Sequence, residues 1–230
     1  MVLKKINKTN LALYVFFAKN SIMKIAVIAD DKLREELSAQ GLSKEADVEW
    51  LKEIAASANT DIYIDLLFIQ NTERINALKK LQPALIIVNS ITTIFSELPP
   101  DFVRFNGWPG FLKRPIIEAA YAEEQNKEIA ESALSCFNKT TEWVPDVPGF
   151  ITARVVSMII NEAYFALQDK VSSKDEIDTA MKLGMNYPYG PFEWSKKIGL
   201  ENIYKLLAKL AETNRRYEPA ELLKKEALYK

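Results

Sequence analysis

The chain has 230 residues, of which 48% are hydrophobic and 27% charged, a balance typical of a globular protein with one or two domains. Its formal net charge of -1 gives no general attraction to nucleic acid or to an anionic membrane, so neither is expected as a partner. The chain contains 0 histidines, which excludes the usual general base near neutral pH and the commonest metal ligand. No cysteine cluster or local carboxylate array replaces them, and we expect no metal site.

The single cysteine, Cys136, excludes an intramolecular disulfide and fits a reducing cytoplasm, which is the predicted location. We expect Cys136 to act as a small buried hydrophobic residue. Within residues 1–22, Lys4, Lys5 and Lys8 precede "LALYVFFA", an arrangement that loosely resembles a short signal peptide, but the apolar run is too short to span a bilayer. Because "MKIAVIA" is a typical opening for a first strand, we predict that Met23 is the natural start and that 1–22 is an extension.

Strands and helices alternate over residues 23–145. The predicted strands are "KIAVIA", "ADVEWL", "TDIYIDLLFI", "PALIIVNS" and "RPIIEAAYA". The predicted helices are "KLREELSAQGL", ending at Gly41, "TERINALKKL" and "NKEIAESALSCFNKT". Continuously apolar, β-branched strands separated by helices indicate a doubly wound parallel sheet, and hence a shortened Rossmann-like α/β domain.

Two prolines and a glycine interrupt this pattern at residues 144–150, where we place a domain boundary. From Ile151 onward apolar residues recur at three- and four-residue steps, which predicts a long helix. Ser173 and Glu176 form a capping box for a second helix that could end at Gly184, and "GLENIYKLLAKLAETN" is amphipathic again. Residues 146–230 therefore read as an all-α C-terminal domain.

Several motifs in this second domain occur in a fixed order. They comprise Asp146, Pro148, Gly149 and Phe150; Asn161, Glu162 and Ala163; Asp178, Ala180, Met181 and Gly184; and Pro188, Gly190, Pro191, Phe192 and Glu193. The pattern resembles the C-terminal domain of 3-hydroxyacyl-CoA dehydrogenases, a helical domain of the 6-phosphogluconate dehydrogenase C-terminal-like type. The resemblance implies fatty acid or hydroxybutyryl-CoA metabolism, NAD as cofactor, an acyl-CoA ligand, and dimerisation through the helical domain. The dimer could be a homodimer or a heterodimer with a paralogue.

The resemblance also assigns positions around the cofactor, and there this chain departs from the family. The three glycines of the family's G-x-G-x-x-G turn correspond to Ala29, Asp31 and Arg34. Asp30 and Asp31 place negative charge where two phosphates would sit, and a like-charge contact at 4 Å costs about 4 kcal/mol at an effective dielectric near 20. Arg74 falls where the family has a cofactor-proximal lysine; the alternative is a solvated helix charge. Normal NAD binding is therefore not expected.

The catalytic positions differ as well. Aligned on "RPIIEAA", Glu118 matches the family's glutamate and Asn106 its catalytic histidine, while Asn89 is kept from the substrate loop. An amide has no usable proton affinity at neutral pH, so Asn106 cannot serve as the base. Ile91 stands at the substrate-facing serine, and Ala153 stands where the family has an asparagine.

Three hypotheses follow for the function. The first is a degenerate homologue with lost or strongly reduced NAD-dependent hydride transfer, which persists as a dimerising or acyl-CoA-sensing protein. The second is an active NAD(P)-dependent oxidoreductase that acts on an acyl-CoA-type substrate with a rebuilt site. The third is a structural dimerisation module that uses the helical domain.

Overall fold

The computed structural model describes residues 22–229, and it contains one sheet with seven strands in the order β2-β1-β3-β4-β5-β6-β7. Apart from Ile22, the predicted N-terminal extension lies outside the described residues. The strands are β1 Met23–Ile28, β2 Ala46–Leu51, β3 Ile62–Asp65, β4 Leu85–Asn89, β5 Phe102–Phe105, β6 Ile116–Tyr121 and β7 Thr140–Trp143.

The helices of the described residues are α1 Asp31–Leu37, α2 Thr72–Lys79, α3 Lys127–Ser135, α4 Thr152–Gln168, α5 Lys174–Met185, α6 Pro191–Ile198, α7 Leu200–Ala211 and α8 Glu221–Leu228. α1, α2 and α3 lie between strands, whereas everything after β7 is helical. The predicted class, a Rossmann-like α/β sheet followed by an all-α C-terminal part, is confirmed.

The central strands are buried on both faces, which explains their continuous apolar runs. In β1, Ile25 and Val27 pack into one hydrophobic cluster with α1 and α3, while Ala26 and Ile28 pack into a second cluster with Leu78 of α2. β1 pairs in parallel with β2 on one side and β3 on the other. The carboxyl ends of these strands therefore meet at one edge of the sheet.

Two strands and one direction differ from the sequence prediction. β5, "FVRF", was missed because Arg104 interrupts its apolar pattern, and β7, "TTEW", was missed because it is a polar edge strand with alternating burial. β6 runs antiparallel to β5. The connection 106–115 contains no helix, and a parallel partner would require a longer crossover.

Smaller differences concern helix ends and the region between β2 and β3. α1 stops at Leu37, and a short 3-10 turn carries the chain to Gly41, whose φ of 84° suits glycine. α5 ends one residue after Gly184, with Asn186 in the left-handed conformation. Residues 52–60 form no helix, as expected for a segment too short for a helical hairpin. The shortening of this part of the fold therefore lies in that segment, since the sheet itself has seven strands.

The helical motifs have a structural explanation in the contacts of Asp178. This buried carboxylate accepts hydrogen bonds from Phe192 N (2.8 Å) and Glu193 N (3.1 Å), which caps α6. Gly190 lies directly against it: a Cβ there would be 2.3 Å from Asp178 Oδ1, so only glycine fits. The predicted capping box of Ser173 and Glu176 is also present and starts α5. These motif residues therefore position helices.

Candidate functional site: the carboxyl edge of the sheet

The carboxyl ends of β1, β3, β4 and β5 carry the residues predicted to contact cofactor and substrate. The chain reverses its winding direction between β1 and β3, because β2 lies on one side of β1 and β3 on the other. In open α/β sheets ligands bind in the crevice at such a switch point. The β1–α1 turn and the end of β3 are therefore the positions at which a dinucleotide would be held.

The β1–α1 turn is arranged around the carboxylate of Asp30. Its Oδ1 accepts a hydrogen bond from Leu33 N at 2.7 Å and so caps α1. Asp31 is exposed, with its carboxylate 4.0 Å from Lys52 Nζ, and Arg34 stacks on Trp50 with its Cζ 5.1 Å from the ring centroid. The N-terminus of α1, where a pyrophosphate would bind, thus already holds a negative charge from the chain itself.

Ala29 lies at the first glycine position and is buried, 7% exposed, in the sheet core. The guanidinium of Arg34, at the third position, is engaged with an aromatic ring on β2. The residues of this turn do not fit a dinucleotide pyrophosphate.

Arg74 makes a bidentate ion pair with Asp65 at the end of β3. The distances are 2.7 Å for both Nε to Oδ2 and Nη2 to Oδ1, and Asp65 Oδ1 also accepts from Leu67 N at 3.0 Å. Burial raises the pKa of the fully buried Asp65 carboxyl, and Arg74 opposes that rise. The Arg74 side chain is only 21% exposed. It is therefore a partner of Asp65, and not the solvated helix charge of the alternative interpretation.

Asn89 binds backbone groups just beyond the ends of both neighbouring strands. Its Nδ2 donates to Leu66 O (3.1 Å) and Gly107 O (3.2 Å), and its Oδ1 accepts from Gly107 N (2.9 Å). A Cβ on Gly107 would lie 2.7 Å from Asn89 Cγ, so this contact requires glycine. The amide predicted to take part in catalysis is thus engaged in joining the ends of β3 and β5.

Asn106 and Glu118, paired by sequence alignment, are in direct contact. Asn106 Nδ2 donates to Glu118 Oε2 at 2.9 Å and lies 3.1 Å from Thr152 Oγ1. Glu118 also accepts from Thr152 N (2.9 Å) and Thr152 Oγ1 (2.8 Å), which caps the first turn of α4. Arg114 Nη2 is 3.4 Å from the same hydroxyl; burial lowers the pKa of Arg114, and Glu118 opposes that shift. These polar groups therefore satisfy one another.

This polar cluster is closed off from solvent. Asn106 is 1% exposed and Glu118 4%. Ile91 and Trp108 pack with Phe150 and the wholly buried Ala153 in the cluster that joins the sheet to the helical part. The described arrangement leaves hydrophobic side chains where the resemblance places the substrate.

Sequence reasoning missed Thr152 and Arg104. Thr152 directly precedes Ala153, the position at which the resemblance places an asparagine. Arg104, on β5, is fully buried: its Nε donates to Asp146 Oδ1 (2.6 Å), Nη1 to Ser90 O (3.1 Å) and Nη2 to Val147 O (2.8 Å). Burial lowers the pKa of Arg104, and Asp146 opposes that shift. The signal in the sequence that could have indicated the role of Arg104 is its charge within the otherwise apolar stretch "FVRF".

Three further expectations concern the cysteine, a metal site and a membrane-spanning segment. Cys136 is buried, as predicted, and burial raises the pKa of its thiol. Within residues 22–229 no three histidine, cysteine, aspartate or glutamate side chains are grouped so as to hold a metal ion. Among these described residues no helix has the length and apolar character needed to cross a membrane.

The described chain is a Rossmann-like α/β protein with a helical C-terminal part. Residues 149–229 match the family model for the 3-hydroxyacyl-CoA dehydrogenase C-terminal domain. Together with the relatives below, this match supports membership of the 3-hydroxyacyl-CoA dehydrogenase family.

Individual relatives agree with this assignment. The chain is 48% identical over 92 residues to 3-hydroxyadipyl-CoA dehydrogenase of Escherichia coli (strain K12), a match covering 39% of this chain and 19% of that protein. It is 26% identical over 215 residues to 3-hydroxybutyryl-CoA dehydrogenase of Bradyrhizobium diazoefficiens, covering 84% of this chain and 73% of the relative. The match to a probable 3-hydroxybutyryl-CoA dehydrogenase of Bacillus subtilis covers 31% of that protein. The share of the relative's length that the match covers therefore ranges from 19% to 73% among these three proteins.

Solved structures extend the likeness of the fold to both parts of the chain. The structure of (S)-3-hydroxybutyryl-CoA dehydrogenase from Ralstonia eutropha matches with a TM-score of 0.70 at 18% identity, covering 89% of this chain and 93% of that one. At this identity the likeness concerns the fold.

Proposed function

We propose that this chain is a 3-hydroxyacyl-CoA dehydrogenase homologue that has lost, or strongly reduced, NAD-dependent hydride transfer. The observation that carries the proposal is the buried contact between Asn106 and Glu118. The carboxylate that would orient a histidine base is bound instead to an amide and to the first turn of α4. A positioned acid–base group typically raises the rate by roughly a hundred- to ten-thousand-fold, and its absence should lower the rate by about the same factor.

The β1–α1 turn supports the same proposal. A dinucleotide pyrophosphate needs backbone N–H groups free at a helix N-terminus and a backbone that can approach closely. Here the Asp30 carboxylate accepts from Leu33 N, and Asp31 adds a second negative charge beside it. These residues do not fit the pyrophosphate of NAD.

We expect calorimetric titration of the whole chain with NADH, in the presence of acetoacetyl-CoA, to give no saturable heat at micromolar ligand. The NADH-binding free energy should therefore be weaker than the value of about −8 kcal/mol that a micromolar dissociation constant represents. Saturable heat would contradict the proposal and support the active oxidoreductase with a rebuilt site. A titration with acetoacetyl-CoA alone separates the remaining roles. Heat from acyl-CoA without NADH favours an acyl-CoA-sensing protein, whereas no heat from either ligand favours the interaction module.

A dimerisation module is the second candidate function, and α5 favours it. Asp178 is the only residue of this helix that is buried, whereas Leu183 is 82% exposed and Met185 58% exposed. Exposed apolar side chains on a sparsely packed helix are typical of a surface that another chain covers. We propose a homodimer through this face, with a heterodimer as the alternative.

Light scattering coupled to size exclusion should then give a mass about twice the chain's 26.2 kDa. Leu183→Glu should shift the protein to the monomer, because a carboxylate would be buried in the interface. Ile69→Glu replaces a 67% exposed residue after β3 and serves as the control, for which we expect no change in mass. A monomeric wild-type chain would contradict the homodimer.

A further inference from the structure

The outer face of α4, opposite the face that packs on the core, is apolar over most of the length of the helix. Ile151 at its N-cap and Val155 are 52% and 53% exposed. Met158 and Phe165 are half-buried, and Glu162 is exposed. Only one of these five residues, which we call the α4 stripe, is charged, whereas a surface helix normally places its polar residues on this side.

α7, in the same helical part, has the arrangement expected of a surface helix. Its buried residues are isoleucine and leucine, and its outer face carries Glu201, Lys205 and Lys209 at four-residue steps. The apolar outer face is thus a property of α4 and is not general to the helical part. A continuous exposed apolar surface of this kind is typical of a site that another protein surface covers.

The spacing of the α4 stripe fits a second helix. Its five positions are separated by four, three, four and three residues. This alternation averages 3.5 residues, the repeat at which two helices stay in contact along a shared seam. From Ile151 to Phe165 the stripe extends over about 21 Å at 1.5 Å per residue, so a partner helix of about four turns would match it.

The charges beside the stripe are complementary to those of a second copy. Arg154 precedes Met158 by four residues, and Glu162 follows it by four. Within the described part of the chain neither Arg154 nor Glu162 forms an ion pair. Around a two-fold axis near Met158, an antiparallel copy of α4 brings Glu162 of each copy beside Arg154 of the other. The surface is therefore complementary to itself.

We infer that α4 packs in antiparallel orientation against α4 of a second copy of this chain, with the two-fold axis near Met158. Ile151 of each copy then lies opposite Phe165 of the other, and each Glu162 lies opposite an arginine. The inference rests on the homodimer proposed above and adds to it the position of the axis, which the exposed residues of α5 do not define.

Oxidative cross-linking of the full-length variant Met158→Cys tests the position of the axis. Two cysteines beside a two-fold axis meet each other, so most chains should run on a non-reducing denaturing gel at about twice 26.2 kDa. The wild-type chain, whose one cysteine, Cys136, is buried, should give no cross-link. Lys205→Cys on the outer face of α7 is the control for random collisions and should also stay at the mass of one chain.

Val155→Glu provides a second test by light scattering. The new carboxylate would be buried in the interface near Glu162 of the other copy, so the mass should fall from that of the dimer to that of one chain. The far-UV circular dichroism spectrum should not change, because Val155 is exposed in the single chain.

The outcomes separate this inference from the homodimer on which it rests. A dimeric wild type with no cross-link in Met158→Cys and no change of mass in Val155→Glu would overturn the axis at α4 and leave the homodimer intact. A monomeric wild type would overturn both. Cross-linking of Lys205→Cys to the same extent as Met158→Cys would also overturn the inference, because it would show that the cross-links come from random collisions.

Discussion

Replacing Arg104 by methionine should lower the free energy of unfolding by roughly 3–5 kcal/mol, the usual cost of breaking a buried ion pair from one side. The guanidinium is fully buried and donates to Asp146 and to the carbonyls of Ser90 and Val147. Methionine fills much of the volume but leaves these acceptors without a donor. Chemical denaturation followed by circular dichroism measures this loss, and thermal unfolding should show a fall in Tm of about 6–20 °C.

An exposed ion pair on α7 provides the control for this measurement. Lys205 is 61% exposed and pairs with Glu201 one turn away on α7, at 2.6 Å. Lys205→Met should change stability by roughly 0.5 kcal/mol or less, as exposed pairs do. If Arg104→Met cost no more than Lys205→Met, the role assigned to the buried guanidinium in joining β5 to residues 146–147 would be wrong.

Elements that depend on local sequence patterns are predicted, whereas elements that depend on contacts between distant residues are missed. The apolar runs of β1 and β4 and the capping box at Ser173 are local patterns, so the sequence is sufficient to predict them. β5 escapes prediction because its arginine is neutralised by Asp146, a residue far along the chain. A contact of this kind depends on tertiary structure that no local window contains.

The candidate site shows the same division. Alignment to the family motifs pairs Asn106 with Glu118, and the structure places them 2.9 Å apart. The alignment does not indicate that Thr152 would complete the contact, or that Asn89 would bind only backbone. Motif spacing thus predicts which residues meet, whereas the partners that occupy their remaining hydrogen-bonding atoms come from the fold.

Restoring the missing base alone should not restore activity. The double variant Asn106→His with Ala153→Asn returns two family side chains to the site, and the introduced imidazole would face Glu118. We expect no oxidation of NADH with acetoacetyl-CoA above the level of the wild-type chain. The Asp30 carboxylate still occupies the N-terminus of α1, and Ile91 still offers no hydroxyl to the substrate. A base that is worth a hundred- to ten-thousand-fold in rate contributes nothing where no hydride acceptor or donor is bound.

The matched test adds the cofactor turn to that double variant through Ala29→Gly, Asp31→Gly and Arg34→Gly, together with Asp30→Ala. These changes remove both negative charges and restore the backbone freedom that a dinucleotide turn requires. NADH binding by calorimetry should appear only in this second protein, because the turn and not the base controls entry of the cofactor. Turnover in the double variant alone would show that Asp30 and Asp31 tolerate NAD. The loss of hydride transfer would then rest on the residues at positions 106 and 153.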